Sequence, residues 1–379
     1  MITEYLLPVN KEIVNFKNEL PQLSIGKNIS FYSSKNLNLN EVDIAIIGLK
    51  ETIISKENNN EYLEVNSFRK EFYSLYLGDW KINIIDLGDV INGESKFDTY
   101  YAVRSINEVL KNKNILSFFI GGSQDITFPV YQSYAFREEY VNLTSIDNKF
   151  DFGQITDDFD SSSYMSKIIM DEKNKLSHYC NIGFQTFLNS QEELDLLEKF
   201  HFESYRLGEL NQKIDLVEPC LRFTDILSID FRAIKSSELN FAHNYPNGFE
   251  ANQICSIFRY AGISSRISSV GVFEVFKNDI SSALLSQAMW CFIDGFSLRI
   301  MEDPKSENFK GKFYHVDLNN QQLKFYHSDL SQKWWFELLN ESNKINDIAL
   351  IPCNYDDYLN ACNGDISNKL LLSLKRNFI

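Results

Sequence analysis

From residue 43 onward, short apolar runs alternate with longer segments of helical period, and no other feature restricts the fold as strongly. The strand-sized runs are residues 43–49, 82–87, 116–120, 141–147, 179–184, 202–207, 225–230 and 268–275. Helical periodicity falls at 63–76, 100–110, 191–200, 251–261 and 281–296, and Ser190 three residues before Glu193 is a capping-box start. Parallel strands need a crossover element between them, and an amphipathic helix is the usual one. The alternation therefore predicts an α/β fold in three layers, with a central, mostly parallel, eight-stranded sheet between two layers of helices.

In such sheets the functional groups gather just beyond the carboxyl ends of the strands. Three of those ends stand out: Gly121-Gly122-Ser123-Gln124-Asp125, Asp147-Asn148-Lys149-Phe150-Asp151 and Ser228-Ile229-Asp230-Phe231-Arg232. Taken alone, Gly121-Gly122 is no more than a tight strand-to-helix turn. Composition narrows the chemistry around these motifs. A formal net charge of -15 opposes binding to phosphate backbones, so nucleic acid is not an expected partner. The apolar runs are far shorter than the roughly 20 residues that span a bilayer. The N-terminus lacks the basic start, apolar stretch and small-residue cleavage site of an export signal, which predicts a cytoplasmic protein. Cysteines 180, 220, 255, 291, 353 and 362 are scattered, with no CxxC pair, and read as reduced thiols.

The ordered set of strand-end motifs resembles the ureohydrolase family of arginase, agmatinase and formimidoylglutamase, over roughly residues 43–300. That family carries Gly-Gly-Asp-His, then Asp-Ala-His-x-Asp, then Ser-x-Asp-x-Asp-x-x-Asp-Pro. Its two His and four Asp side chains hold two manganese ions that share a hydroxide, which attacks a guanidino or formimidoyl carbon. Asp86-Leu87-Gly88-Asp89 and Glu274 also match family positions, the Glu being a substrate contact in arginases. The resemblance implies an arginase-like fold, and it also implies a damaged site.

Gln124 stands in place of the first His ligand, Lys149 in place of the second, and Arg232 in place of an Asp; Lys235-Ser236 replaces the terminal Asp-Pro. Asp147, Asp151 and Asp230 remain. By the resemblance, the first metal keeps these three aspartates and loses only its histidine to Gln124, so one retained ion on Asp147, Asp151 and Asp230 is one reading. The second metal's ligands have become Lys149 and Arg232, and a protonated cation cannot ligate. The other reading is an ion-pair network joining the three aspartates to Lys149 and Arg232, which would stand in for metal. Lys149 as a general base is disfavoured, because three nearby aspartates would raise its pKa.

Glu274 is either a substrate contact or a further acceptor for the basic residues. His243, in the loop after the third motif, is a loop residue or a pocket contact. The loop 152–167 holds no counterpart of the catalytic histidine of arginases. After residue 301 the pattern changes to short alternating runs at 312–317 and 322–327, joined by Leu318-Asn319-Asn320-Gln321, which predicts a β-hairpin. Trp334-Trp335 follows, either as packing or as an exposed partner anchor.

The expected organisation is an N-terminal extension over 1–40, a ureohydrolase-like domain over 41–300 and a C-terminal extension over 301–379 packed on it. The expected function is a non-catalytic pseudoenzyme acting as a scaffold or partner-binding subunit. No cofactor is expected, or at most one divalent manganese ion. An unknown protein partner and a homo-oligomer are expected. The alternatives are a formimidoylglutamase-like or guanidino hydrolase using one metal or none, and a sensor for a guanidino or amino-acid ligand.

Overall fold

The computed structural model describes residues 2–33, 37–50, 65–135, 140–155, 159–171, 175–318, 321–338 and 350–377. Two sheets organise the described residues. The larger holds β1 (Leu6–Leu7), β2 (Ser30–Phe31), β3 (Ile44–Gly48), β4 (Ile84–Val90), β5 (Leu116–Ile120), β6 (Val141–Ile146), β7 (Leu176–Phe184), β8 (Glu203–Arg206), β9 (Ile226–Asp230) and β10 (Ser269–Phe273). Its order is β1-β4-β3-β5-β10-β9-β6-β7-β8, with β2 also on β4, and every pairing is parallel except β1 with β4.

All eight predicted strands are present. β1 and β2 make the sheet ten-stranded rather than eight-stranded. At two residues each they are too short to show a periodicity. They come from the segment expected as an N-terminal extension, and they pair along β4 at Leu6↔Val90 and Ser30↔Ile85.

Alternation along the strands explains the three layers. Ile44, Ile46, Phe118 and Ile120 face one apolar cluster with Phe68, Ile254, Phe258, Met289 and Phe292, which lie on the helices Val65–Ser74, Ala251–Ile263 and Asp279–Ser297. Ala45, Ile47 and Phe119 face a second cluster with Val103, Ile106, Tyr131, Met165 and Leu197 from the helices of the opposite layer. Strands covered on both faces must be apolar throughout, and β3, β5, β9 and β10 are buried at every residue. The helices match the expected segments, although residues 63–64 lie outside the described residues. Ser190 and Glu193 form the expected reciprocal cap.

The smaller sheet is antiparallel: β11 (Gly311–Leu318), β12 (Gln321–Ser328), β13 (Trp334–Leu338) and β14 (Ile351–Cys353), in that order. The two hairpin strands pair as predicted, while residues 319–320, expected to join them, lie outside the described residues. Trp334 stacks on His327 at 4.5 Å and on Tyr358 at 4.9 Å, and both tryptophans are buried, so the pair is packing and not an exposed anchor. Arg222 fastens this sheet to the larger one by donating to the carbonyls of Trp334 (3.0 Å) and Cys353 (2.8 Å). Among the described residues no helix is long and apolar enough to cross a membrane.

Candidate functional site

The three sequence motifs and Glu274 converge at the carboxyl ends of β5, β6, β9 and β10, which include the centre of the large sheet. Gly121 and Gly122 turn the chain after β5 with φ of +91° and +74°, and a Cβ at Gly121 would lie 2.8 Å from the Leu49 carbonyl oxygen. Only glycine adopts that backbone at that approach without strain. Two non-glycine residues in the cluster also take left-handed backbone, Asp151 at φ 56° and Glu274 at φ 55°. Such residues cost about 1–3 kcal/mol each and persist only where the surroundings hold them.

Arg232 dominates the electrostatics. Its guanidinium grips Asp230 with Nη2 at 2.6 Å and Nε at 2.8 Å from Oδ2, and its backbone N–H donates to Oδ1 at 2.7 Å. Nη2 also lies 3.7 Å from Glu274 Oε1, and the Asp230 and Glu274 side chains are almost wholly buried. Glu274 Oε1 accepts the backbone N–H of Gln124 at 3.1 Å. The Gln124 side chain donates to Tyr164 Oη (3.2 Å) and Ser228 Oγ (3.4 Å).

The expected network is therefore built by one cation instead of two. Lys149 makes no ion pair with the aspartates among the described residues. Only its backbone N–H reaches Asp147 Oδ1, at 2.8 Å, while its ammonium lies 5.9 Å from the ring centre of Tyr245. Asp147 Oδ1 is taken up in capping the turn through the Lys149 N–H, and the ammonium meets the Tyr245 ring in the loop 240–249 in place of the carboxylates. Burial opposes its charge, but Tyr245 and Asp151 together raise its pKa. Lys235 likewise turns away, pairing with Glu250 at 2.8 Å. His243 is exposed and touches Phe241, 5.6 Å between ring centres, and no contact of it with the cluster is present among the described residues.

With one cation for the buried carboxylates, protons must supply the remaining balance. Burial, followed by the charge of Asp147, pushes the Asp151 carboxyl well above the usual range. Burial also raises Asp147, against the pull of Arg232, and drives Asp230 up to about 7. Asp147 Oδ2 and Asp151 Oδ2 are buried without a hydrogen-bond donor, as are Gln124 Oε1 and Glu274 Oε2. A proton on Asp151 donating to Asp147 satisfies the first two, since a buried acceptor left bare costs about 1–3 kcal/mol.

A two-ion centre does not fit these residues. Arg232 occupies Asp230, and Lys149 offers no ligand. Among the described residues, the place where three Asp, Glu, His or Cys ligand atoms come within 4.8 Å of one another is elsewhere, at Cys180, Glu203 and Cys220.

Sequence reasoning missed Tyr164 and Tyr245 as parts of the site, and it named Ser228 only as the first residue of the third motif. Tyr164 lies within the stretch searched for a histidine, part of which (156–158) is outside the described residues, and nothing in the sequence marks its hydroxyl as a partner of Gln124. Asp86 and Asp89, matched by motif, are held by the fully buried Arg69 at 2.8 and 2.7 Å. Arg69 comes from a helix with no motif of its own.

The parallel sheet, the glycine turn and the carboxylates at four strand ends define an α/β protein of the class that builds its site on strand-end aspartates. The sequence model of the arginase family matches residues 58–275, and the chain belongs to that family. Formiminoglutamase of Trypanosoma cruzi, solved with Mn2+, is similar in fold, with a TM-score of 0.64 at 15% identity, over 73% of this chain and 99% of that one. Formimidoylglutamase of Bacillus subtilis gives 0.61 at 14%, over 70% and 90%. A hypothetical agmatinase of Burkholderia thailandensis gives 0.58 at 14%, over 73% and 90%. No curated protein matches.

Proposed function

We propose that the chain is a non-hydrolytic arginase-family protein, kept as a scaffold or partner-binding subunit, in which an arginine–aspartate ion pair stands where the second metal of its relatives would bind. The observation that carries this reading is the bidentate grip of Arg232 on Asp230, with Glu274 as a second acceptor. A guanidinium stays protonated in proteins, so it repels a divalent ion and cannot be displaced by losing its proton. Without a shared hydroxide there is no nucleophile for a guanidino or formimidoyl carbon. In this proposal residues 301–379 are a separate packed unit, and residues 1–40 complete the edge of the main sheet.

A second reading is favoured by the bare buried oxygens of Gln124, Asp147 and Asp151, which could hold one hard cation such as Mn2+ in place of the shared proton. Assays of urea release from arginine and agmatine, and of formamide release from formimidoylglutamate, test the main reading. The expected result is no turnover above background with or without added manganese. Manganese-dependent turnover that disappears in Asp147→Ala would overturn it.

A further inference from the structure

Away from the family site, a second buried cluster lies between the large sheet and the C-terminal segment. Cys180 on β7 and Glu203 on β8 are direct register partners, so their side chains share one face of the sheet. The helix Val217–Arg222 lays Cys220 over that face, with its Sγ 3.6 Å from Glu203 Oε2. One ligand atom from each of Cys180, Glu203 and Cys220 lies within 4.8 Å of the others, and all three side chains are buried. Glu203 is oriented from both sides: His178 Nε2 lies 3.4 Å from Oε1, and the Tyr205 hydroxyl donates to Oε2 at 3.3 Å. Among the described residues, a positive charge is placed against this set by Lys369, from the C-terminal helix Asn368–Asn377. Its ammonium donates to Glu203 Oε2 at 3.1 Å and to Cys220 Sγ at 3.6 Å.

Two sulfurs and a carboxylate at this separation match the donor set of a thiophilic divalent ion, and supporting contacts to a ligating carboxylate are what hold such a ligand in place. A cleft of about 280 Å³, lined by Tyr205, Pro219, Asp357 and Lys369, reaches Glu203 at the edge of the cluster, while the two cysteines lie behind it. We propose that Cys180, Cys220 and Glu203 form a binding site for a zinc-class divalent cation, and that the Lys369 ammonium holds the place of that ion when none is bound. On binding, each thiol that is protonated gives its proton to water and becomes a thiolate ligand. The fourth position is left to water, and Lys369 withdraws with its helix. The proposal does not depend on the reading of the family site.

Cobalt titration of the full chain tests it, because thiolate ligation gives Co2+ an intense near-ultraviolet charge-transfer absorption. The expected result is that absorption at one ion per chain, displaced by Zn2+, absent in Cys180→Ser and Cys220→Ser, and retained in Cys255→Ser. Lys369→Met should bind at least about tenfold more tightly, since a competing cation has been removed. No charge-transfer band, or one that survives in both serine variants, would overturn the site; unchanged affinity in Lys369→Met would overturn the role of the lysine. Should the serine variants fail to fold, the unaltered protein still decides the matter. Equimolar Zn2+ should slow alkylation of Cys180 and Cys220, but not of exposed Cys362, in mild denaturant, and equal rates with and without Zn2+ would contradict the proposal.

Discussion

Arg232 and Lys149 are alike in sequence terms, each a cation at a position where the family carries a metal ligand. They differ in what their removal should do. Arg232 neutralises Asp230, whose side chain is almost wholly buried, so Arg232→Ala leaves that carboxylate without its partner and should cost about 3–5 kcal/mol in chemical denaturation. Lys149 faces Tyr245, and Lys149→Ala should cost no more than about 1 kcal/mol. The arginine variant should also show a pH signature. Asp230 is already raised above its unfolded value, to about 7, and loss of the guanidinium raises it further. A carboxyl whose folded pKa exceeds its unfolded pKa loses stability as pH rises between the two. The deficit of Arg232→Ala should therefore be level below about pH 7, where Asp230 is protonated in both folded proteins, and grow as pH rises above it; a deficit independent of pH would place the cost elsewhere. The identities of Gln124, Asp147, Asp151, Asp230, Arg232 and Glu274 as one cluster were legible in the sequence from motif order. The direction of Lys149 was not, because a side chain leaving a strand end is aimed by its turn and by a loop nearly a hundred residues away in sequence.

The strands of the main sheet were legible because burial on both faces demands continuous apolar runs, which a sequence displays directly. β1 and β2 were not, since two residues carry no period and gain their pairing only from the edge of β4. The convergence of Cys180, Glu203, Cys220 and Lys369 was equally hidden: two strands, a short helix and a terminal helix meet there, with no common spacing. Several side chains tie the C-terminal segment to the main sheet, among them Lys369 to Glu203 and Lys213 to Asp356, and Arg222 has the most partners in the smaller sheet itself. Arg222 pairs with Glu218 at 2.8 Å, donates to two carbonyls of the smaller sheet, and lies 4.8 Å from the ring centre of Trp335. Arg222→Ala should cost about 2–4 kcal/mol and speed proteolysis within residues 301–379 more than within the main sheet. Uniform acceleration across the chain would show that the two sheets unfold as one unit.

At the scale of the molecule, the fold is that of the arginase family, and the cluster at its strand ends pairs Asp230 with a guanidinium. The proteins it resembles in fold include one solved with Mn2+. Fold alone does not carry an activity across, so the account stands on the site. In the proposed reading the cation there is the Arg232 guanidinium, a proton shared by Asp147 and Asp151 meets the spare negative charge, and no two-metal centre assembles around them. Rebuilding the family's ligands through the triple change Gln124→His, Lys149→His, Arg232→Asp should reverse this, making the melting temperature rise with added manganese, because an ion that binds only the native state stabilises it. The most direct test needs no variant: the manganese content of the purified natural protein after incubation with excess Mn2+ and removal of free ion. The account predicts fewer than about one tightly held ion per chain, as ligands already committed to a guanidinium and a proton leave too few for a second site. Two tightly held ions per chain would contradict it.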